Sequence, residues 1–512
     1  MARRTGAIAG PVAAGSVFAL ILAALLAVMS RADWPVTMGA ADWAVLRFTV
    51  WQALLSALFS VMFAIPVARA LARRRFPGRG ALVTLLGAPF ILPVIVAVLG
   101  ILAVFGRAGW ISDAFGVFGF SPISIYGLQG VVLAHVFFNM PLATRLILQG
   151  WQAVPAEQFR VVGQLGLPPS AVFRVIEWPI LRQVVPGAFA LVFVICLTSF
   201  AVALTLGGGP RATTIELAIY QAFRFDFDLG RAAVLSLLQL VVAGGAAVVA
   251  LWMLPPLALQ SGRDRVVRRW DAPAPWIDCF WIALAAAFLL LPLLAVAISG
   301  VIGVWQMPLS VLTATWTSAW VAIVSTLVLL IMALPIAAWL AQARWGGAEA
   351  LTLLGLAASP LMIGTGWFIL IYPFAAPVTF ALPVTALVNA MMALPFAVRI
   401  LLPPMRQVFN DYGRLSAGLG LSGFALWRIV LVPRLRPQIG FAAGLGAAMS
   451  VGDLGVVTLF ADPDVATLPL QMYRLMGSYR TEAASGAALV LVVLAFGMFW
   501  ICDAWGRRHV AG

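Results

Sequence analysis

The sequence contains no lysine: all 32 basic residues are arginine. That excludes a phosphate-binding loop of the G-x-x-x-x-G-K-[ST] type and a Schiff-base amine. If ATP drives this chain's work, another subunit hydrolyses it. Histidine is nearly absent as well: His135 and His509 are too few for a histidine metal cluster. The three cysteines, Cys196, Cys279 and Cys502, fall inside or at the ends of apolar segments, without metal-ligand or disulfide-framework spacing. Charge itself is scarce. Only 10% of the 512 residues are charged and 63% are hydrophobic, with a mean hydropathy of +1.05. This is the composition of a polytopic, all-α membrane protein. The net charge of +14 lies in loops beside apolar spans, so bilayer orientation accounts for it without nucleic acid.

What the chain does contain, it contains twice. Gly166-Leu-Pro-Pro-Ser-Ala-Val-Phe-Arg-Val-Ile-Glu-Trp-Pro179 is echoed by Gly420-Leu-Ser-Gly-Phe-Ala-Leu-Trp-Arg-Ile-Val-Leu-Val-Pro433. The offset of 254 also pairs Pro141 with Pro395, Arg145 with Arg399, Arg174 with Arg428 and Arg182 with Arg436. Matches this regular, without a gap, indicate an internal duplication.

Apolar runs predict spans near 8–29, 47–71, 81–105, 127–147, 185–206 and 231–253. The run after Arg3-Arg4 has the length of a span and no small-residue cleavage site, so it reads as an uncleaved first helix. Residues 254–275 form a polar linker with Arg263, Arg265, Arg268 and Arg269. Further spans fall near 277–299, 314–341, 351–372, 381–400, 439–460 and 483–505. The expected fold is therefore about twelve transmembrane helices in two parallel six-helix halves. These are 1–253 (core about 47–253) and 276–512 (core about 314–505), with the linker between them. Pro66 and Arg75 correspond to Pro335 and Arg344 at a slightly different offset. On this map eight arginines (Arg31, Arg47, Arg107, Arg211, Arg224, Arg231, Arg474 and Arg480) lie on one side. The other 24 lie with both termini and the repeated loops. The positive-inside rule puts that second side in the cytoplasm.

The repeated loop has the grammar of a helix-turn-helix. Residues 157–165 form a short helix, Gly166 supplies a left-handed ending, and Pro168 and Pro169 open a second helix. Ser422 is placed to cap the second copy with its hydroxyl. An aromatic knob (Phe173, Trp427), an arginine (Arg174, Arg428) and a helix-breaking proline (Pro179, Pro433) follow. Two such units, one per half, suit docking into two copies of a cytoplasmic partner. Orientation alone needs charge and not this spacing.

At these residues the chain resembles the inner-membrane permease family of ABC importers, whose loop reads E-A-A-x-x-x-G, nine residues, I-x-x-P. Gly and Pro match in both copies, whereas the first positions read Arg160-Val161-Val162 and Arg414-Leu415-Ser416. Among fused permeases it is most similar to the thiamine-transport group. The stretches that carry this are Arg73-Arg-Arg-Phe-Pro-Gly-Arg79, Leu133-Ala-His-Val-Phe-Phe-Asn139, Thr213-Thr-Ile-Glu-Leu-Ala-Ile-Tyr-Gln221 and Gly452-Asp-Leu-Gly-Val-Val457. The resemblance implies a type I importer fold in the bacterial inner membrane, with no covalent chemistry in this chain. It also implies two copies of a cytoplasmic ABC ATPase that hold ATP and Mg, a periplasmic thiamine-binding protein, and no cofactor bound here.

Substrate-path candidates are the polar groups deep in predicted spans: Asp453, with His135 and Asn389 as counterparts at the 254 offset. Asp453 suits a thiazolium cation, and Phe137 or Phe138 offers a ring face. Thr213 to Glu216 fits a capping box that starts a short helix through Tyr220. Thr467 to Tyr473 is its counterpart, and these segments are expected at an outer gate or a docking surface. An ion-coupled secondary transporter is the rival of another class. It needs coupling carboxylates or basic groups in the bundle, where only Asp453 and His135 qualify, and it does not need the duplicated loop. Ferric iron and polyamine permeases share the importer plan and are the alternatives within it.

Overall fold

The computed structural model describes residues 5–32, 38–87, 91–207, 209, 212–253, 275–343, 359–460 and 466–507. The expected linker over 254–275, apart from its last residue, lies outside this set, as does Arg344. Among the described residues the secondary structure is helical and contains no strand. The elements are α1 (Thr5–Arg31), α2 (Ala40–Arg73), α3 (Arg79–Leu85), α4 (Val94–Phe105), α5 (Trp110–Val117), α6 (Leu128–Gln152) and α7 (Ala156–Gln164). Then come α8 (Pro169–Val172), α9 (Trp178–Leu197), α10 (Ala201–Leu206), α11 (Ile215–Arg224), α12 (Leu229–Met253), α13 (Pro275–Gly303) and α14 (Leu309–Gln342). The chain ends with α15 (Pro360–Ile371), α16 (Ala381–Gly418), α17 (Gly423–Leu426), α18 (Val432–Val451), α19 (Gly455–Phe460), α20 (Leu468–Gly477) and α21 (Thr481–Arg507).

Eleven helical stretches among the described residues are long and apolar enough to cross a bilayer. Where a twelfth was expected, near 351–372, the described part is the shorter apolar helix α15. In a bilayer each backbone N–H and C=O must be paired within the protein, and helices meet that demand internally.

Local structure recurs at the 254 offset. α8 and α17, α9 and α18, and α10 and α19 begin and end at positions 254 apart. So do two π-helical turns, Phe173–Glu177 and Trp427–Leu431. One difference has a simple cause. α6 stops at Gln152 because Pro155, which lacks an N–H, follows and restarts the chain as α7. The second copy has Phe409 at that place, and α16 continues unbroken to Gly418.

Three expected spans are not continuous. That at 81–105 is divided between α3 and α4, with the helix resuming at Val94. The span expected at 185–206 breaks at 198–200 between α9 and α10, and that at 439–460 breaks at 452–454 between α18 and α19. Their lower portions begin earlier than expected, because Pro179 and Pro433 do not break the helix. Each sits in the first turn of α9 or α18, directly after a π turn. A wider i→i+5 turn with a proline at the next helix start removes the clash that an interior proline would create.

Packing crosses the sequence. α1 lies against α14 and α15, whereas α13 lies against α2, α4 and α21. Glycines permit the closest approaches. A Cβ on Gly303 would run into the Glu482 carbonyl, and one on Gly486 into Gly303, so α13 and α21 touch backbone to backbone. This small-residue contact is the main attractive mode between helices in lipid, where apolar burial offers little.

A candidate translocation core and two loop units

The loop unit on one face comprises α7, Gly166, α8, the π turn and the start of α9. Gly166 has φ +60° and Gly420 φ +68°, the left-handed conformation that favours glycine. The Leu167 N–H bonds to Val162 O, and the Leu421 N–H to Ser416 O, which satisfies a carbonyl at each helix end. Pro169 is the first residue of α8. Ser422 stands at the cap position of α17, but its hydroxyl makes no cap bond, contrary to expectation.

The aromatic knobs are also not where the sequence suggested. Phe173 is half-buried, lying under the Arg69 guanidinium at 5.4 Å and against Trp178 at 6.2 Å. Trp427 is likewise half-buried against a core of α14, α16 and α18 residues. The apolar groups that do project are Val161, Leu165, Val175 and Trp178 in one unit, and Leu415, Leu419, Phe424 and Ile429 in the other. Val161 and Leu165 match Leu415 and Leu419 at the 254 offset. Arg174 and Arg428 are exposed beside them.

The first unit is tied to α2 by charge. Glu177 is fully buried and accepts from Arg69 Nε at 2.8 Å and Arg73 Nη2 at 3.0 Å. Removing one partner of a buried pair strands the other charges. Glu177→Gln is expected to cost about 3 kcal/mol, the low end of the usual range because Arg69 reaches solvent. The check is a several-degree fall in the melting temperature of the detergent-solubilised chain.

On the opposite face the chain dips back into the protein. α11 starts at Thr214, whose hydroxyl accepts from the Leu217 N–H at 3.3 Å. The expected capping box is therefore shifted: Thr214, not Thr213, is the cap, and Glu216 does not reach back to it. A hydroxyl from a long helix much earlier in the chain, α2 or α14, completes each helix start. Thr49 Oγ1 accepts from the Ile215 N–H at 2.9 Å, and Ser318 Oγ accepts from the Leu468 N–H at 2.8 Å.

Glu216 instead joins three elements. Gln239 Nε2 of α12 donates to its Oε1 at 3.0 Å, and the Ser359 hydroxyl donates to its Oε2 at 2.8 Å. Ser359 is the cap of α15, and Gln239 also donates to Leu197 O at the end of α9. Ser359 lies one α15 length, about 18 Å, from the opposite-face end of that helix. The start of α11 therefore lies deep in the bundle.

Asp453 sits in the break between α18 and α19. Its Oδ1 accepts from the Gly455 N–H at 3.2 Å, so it stabilises the start of α19. With its amide oriented to satisfy both ends, Asn389 donates to Asp453 Oδ2 at 3.2 Å and accepts from the Ser450 hydroxyl at 3.1 Å. His135 belongs to a different cluster, with Nδ1 3.0 Å from Ser56 Oγ. Asn139 donates to His135 O at 2.9 Å and to Cys196 Sγ at 3.4 Å, and Gln52 donates to Cys196 O at 3.0 Å. Phe137 and Phe138 meet edge-on at 5.5 Å, and Phe137 packs on Phe288 of α13 at 5.8 Å. The structure thus unites Asn389 with Asp453 and leaves His135, Phe137 and Phe138 in other packing environments.

The two breaks adjoin. A Cβ on Gly455 would lie 3.9 Å from the Phe200 ring, and one on Gly452 would lie 3.1 Å from Pro93, the cap of α4. Phe200 meets Tyr220 at 5.4 Å, Phe223 meets Phe368 at 4.5 Å, and Phe368 meets Phe460 at 5.5 Å. Adjoining helix breaks of this kind leave non-helical backbone that, in a membrane protein, is buried in protein or lines a cavity. Tyr473 packs on a neighbouring core, and Thr213 is buried. Sequence reasoning missed Gln239, Ser359, Thr49 and Ser318, because each acts through a partner distant in sequence.

No family model matches the chain. Curated relatives do. The thiamine transport system permease protein ThiP of Escherichia coli is 40% identical, over 96% of this chain and 95% of its own length. That of Brucella abortus is 40% identical over 90% and 87%, and that of Haemophilus influenzae 33% identical over 87% and 86%. The chain belongs to the thiamine transport system permease family. It is accordingly a multi-pass ABC transporter permease, a membrane subunit and not itself an enzyme. Its paired loops and interrupted helices are features of a permease architecture.

Proposed function

We propose that this permease carries thiamine, and its phosphates, inward across the bacterial inner membrane by alternating access. The reading is supported chiefly by near-full-length similarity to relatives named as thiamine transport permeases. The 254-residue recurrence of loop units and broken helices supports an arrangement of two parallel six-helix halves, 1–253 and 276–512, joined by a linker. Arginine asymmetry favours a cytoplasmic position for both termini and the loop units.

In this scheme the loop units dock on two copies of a cytoplasmic ABC ATPase, which holds ATP and Mg. Gly166 and Gly420 fix the turns. Phe173, Arg174, Pro179, Trp427, Arg428 and Pro433 shape the units, and the exposed Val161, Leu165, Leu415, Leu419 and Phe424 make contact. A periplasmic thiamine-binding protein delivers substrate to the other face. The α11 segment with Thr213, Glu216 and Tyr220, and the α20 segment with Tyr473, form the outer gate there. Substrate passes the helix breaks, where Asp453 and Asn389 offer polar groups, with His135, Phe137 and Phe138 as further path candidates. ATP binding draws the loop units together, the outer aromatic layer parts, and hydrolysis resets the closed form.

The test is labelled thiamine uptake in cells lacking other thiamine transport, with this chain, its binding protein and its ATPase. The expected result is saturable uptake that stops on ATP depletion and persists when the proton gradient is dissipated. Uptake that follows the proton gradient would overturn the ABC mechanism. An intact complex without thiamine uptake would overturn the substrate and direct attention to ferric iron and polyamines.

A further inference from the structure

Glu216 is a carboxylate buried where the fold does not require one. The corresponding position in the second copy, at the 254 offset, is Leu470, 4% exposed against 0% for Glu216. α20 packs there without a charge. Likewise the cap of α15 is Ser359, whereas α4, the helix of equal length in the first half, is capped by Pro93. The polar cluster therefore exists on one side only, and the duplicated architecture is built equally well without it.

Among the described residues the two oxygens of Glu216 accept only from the neutral groups of Gln239 and Ser359. Beside it the Gln239 Oε1, also buried, has no hydrogen-bond partner. The cluster is thus rich in acceptors, and among the described residues no cationic group bonds to it. Buried carboxylates are costly, and inside a membrane bundle they persist where an ion or substrate passes. The site bridges α11 and α12 to α15, so any outward parting of these elements must break the Glu216–Ser359 bond. That motion frees one carboxylate oxygen on the wall of the opening path.

We infer that Glu216 is a charge-exchanging latch: closed, it bonds to Ser359 and Gln239; open, it receives the positive ring of the incoming substrate. The inference rests on the thiamine reading above, since thiamine carries a thiazolium cation. It gives the outer gate a specificity role. A cation replaces the lost neutral donors, whereas an empty or anionic visitor leaves the carboxylate without a partner. Asp453 is not equivalent, because one of its oxygens accepts from the Gly455 N–H two residues on, a local bond that parting the helices does not release.

The experiment compares Glu216→Gln, Glu216→Asp and Glu216→Leu in the full transporter with thiamine-loaded binding protein. Thiamine uptake and ATP turnover are measured together. Gln keeps the neutral latch and removes the charge, Asp keeps the charge, and Leu is the residue the second copy already folds with. The expected result is at least a tenfold loss of uptake for Gln and Leu, the scale of one lost charge contact. Asp should recover part of the uptake. Uptake within twofold of wild type for Gln or Leu would overturn the inference. So would Asp performing no better than Gln, which would make the residue a positional latch alone. If Gln fails to insert, Leu against Asp decides between the same two results. Failure of wild-type thiamine uptake would instead overturn the substrate reading.

Discussion

Replacing Leu165 and Leu419 together with glutamate is expected to abolish association with the ATPase and, with it, uptake, while leaving the membrane bundle intact. The side chains are 67% and 66% exposed, at matching places just before Gly166 and Gly420. In the free permease they touch little, so the change should alter its stability by no more than about 0.5 kcal/mol. In the docked complex each leucine would be buried in a groove of the partner. Full burial of such a side chain contributes roughly 1.5–3 kcal/mol, so losing two removes roughly 3–6 kcal/mol. That corresponds to a fall in affinity of at least about a hundredfold. Burying two carboxylates in the same grooves adds to the loss. Co-purification of the tagged permease with its ATPase is the measurement, with single substitutions expected to be intermediate. Phe173→Ala should weaken docking less, because Phe173 lies partly under Arg69. Unchanged co-purification of the double variant would refute the docking role of these faces.

The contrast between Leu165 and Phe173 shows what the sequence made legible. Spacing identified the loop units, because Gly166 and Gly420 require a left-handed turn and the repeat fixes their distance from Pro179 and Pro433. It could not tell which apolar side chain faces the core. Phe173 is drawn inward by Arg69 and Trp178, partners distant in the chain or across a π turn that no periodicity announces. Hydropathy likewise marked the spans, since window averages register apolar composition well. It missed the breaks at 198–200 and 452–454, because the residues around them stay apolar and only Thr198 and Ser199 in one, and Gly452, Asp453 and Gly455 in the other, interrupt them. Glu216 was visible as a candidate, but its role was assigned to a local capping box. Its true partners, Gln239 and Ser359, belong to other helices, and a local motif contains no information about them.

Joining positions 223 and 368 across the outer face should stop transport completely and reversibly. The Phe223 and Phe368 rings lie 4.5 Å apart, one on α11 and the other on α15, and they form part of the aromatic layer over the helix breaks. Any outward opening that admits substrate must separate these helices. Exposing a buried ring costs at most roughly 4–6 kcal/mol at about 25 cal/mol per Å2. Parting several rings together therefore makes the open form a minor state until the partner ATPase and binding protein drive it. A covalent tether removes that minor state outright. The variant carries Phe223→Cys and Phe368→Cys in a background where Cys196, Cys279 and Cys502 are serine. Serine is suited to position 196, because Ser450 occupies the corresponding place in the second copy. Treatment with a short bifunctional thiosulfonate should reduce thiamine uptake to background while the ATPase remains bound, and reduction of the disulfides should restore it. Each single-cysteine variant should keep its uptake under the same treatment. Persistent uptake by the cross-linked protein would mean that substrate takes another route, and that the contact between α11 and α15 is a static part of the fold rather than its outer gate.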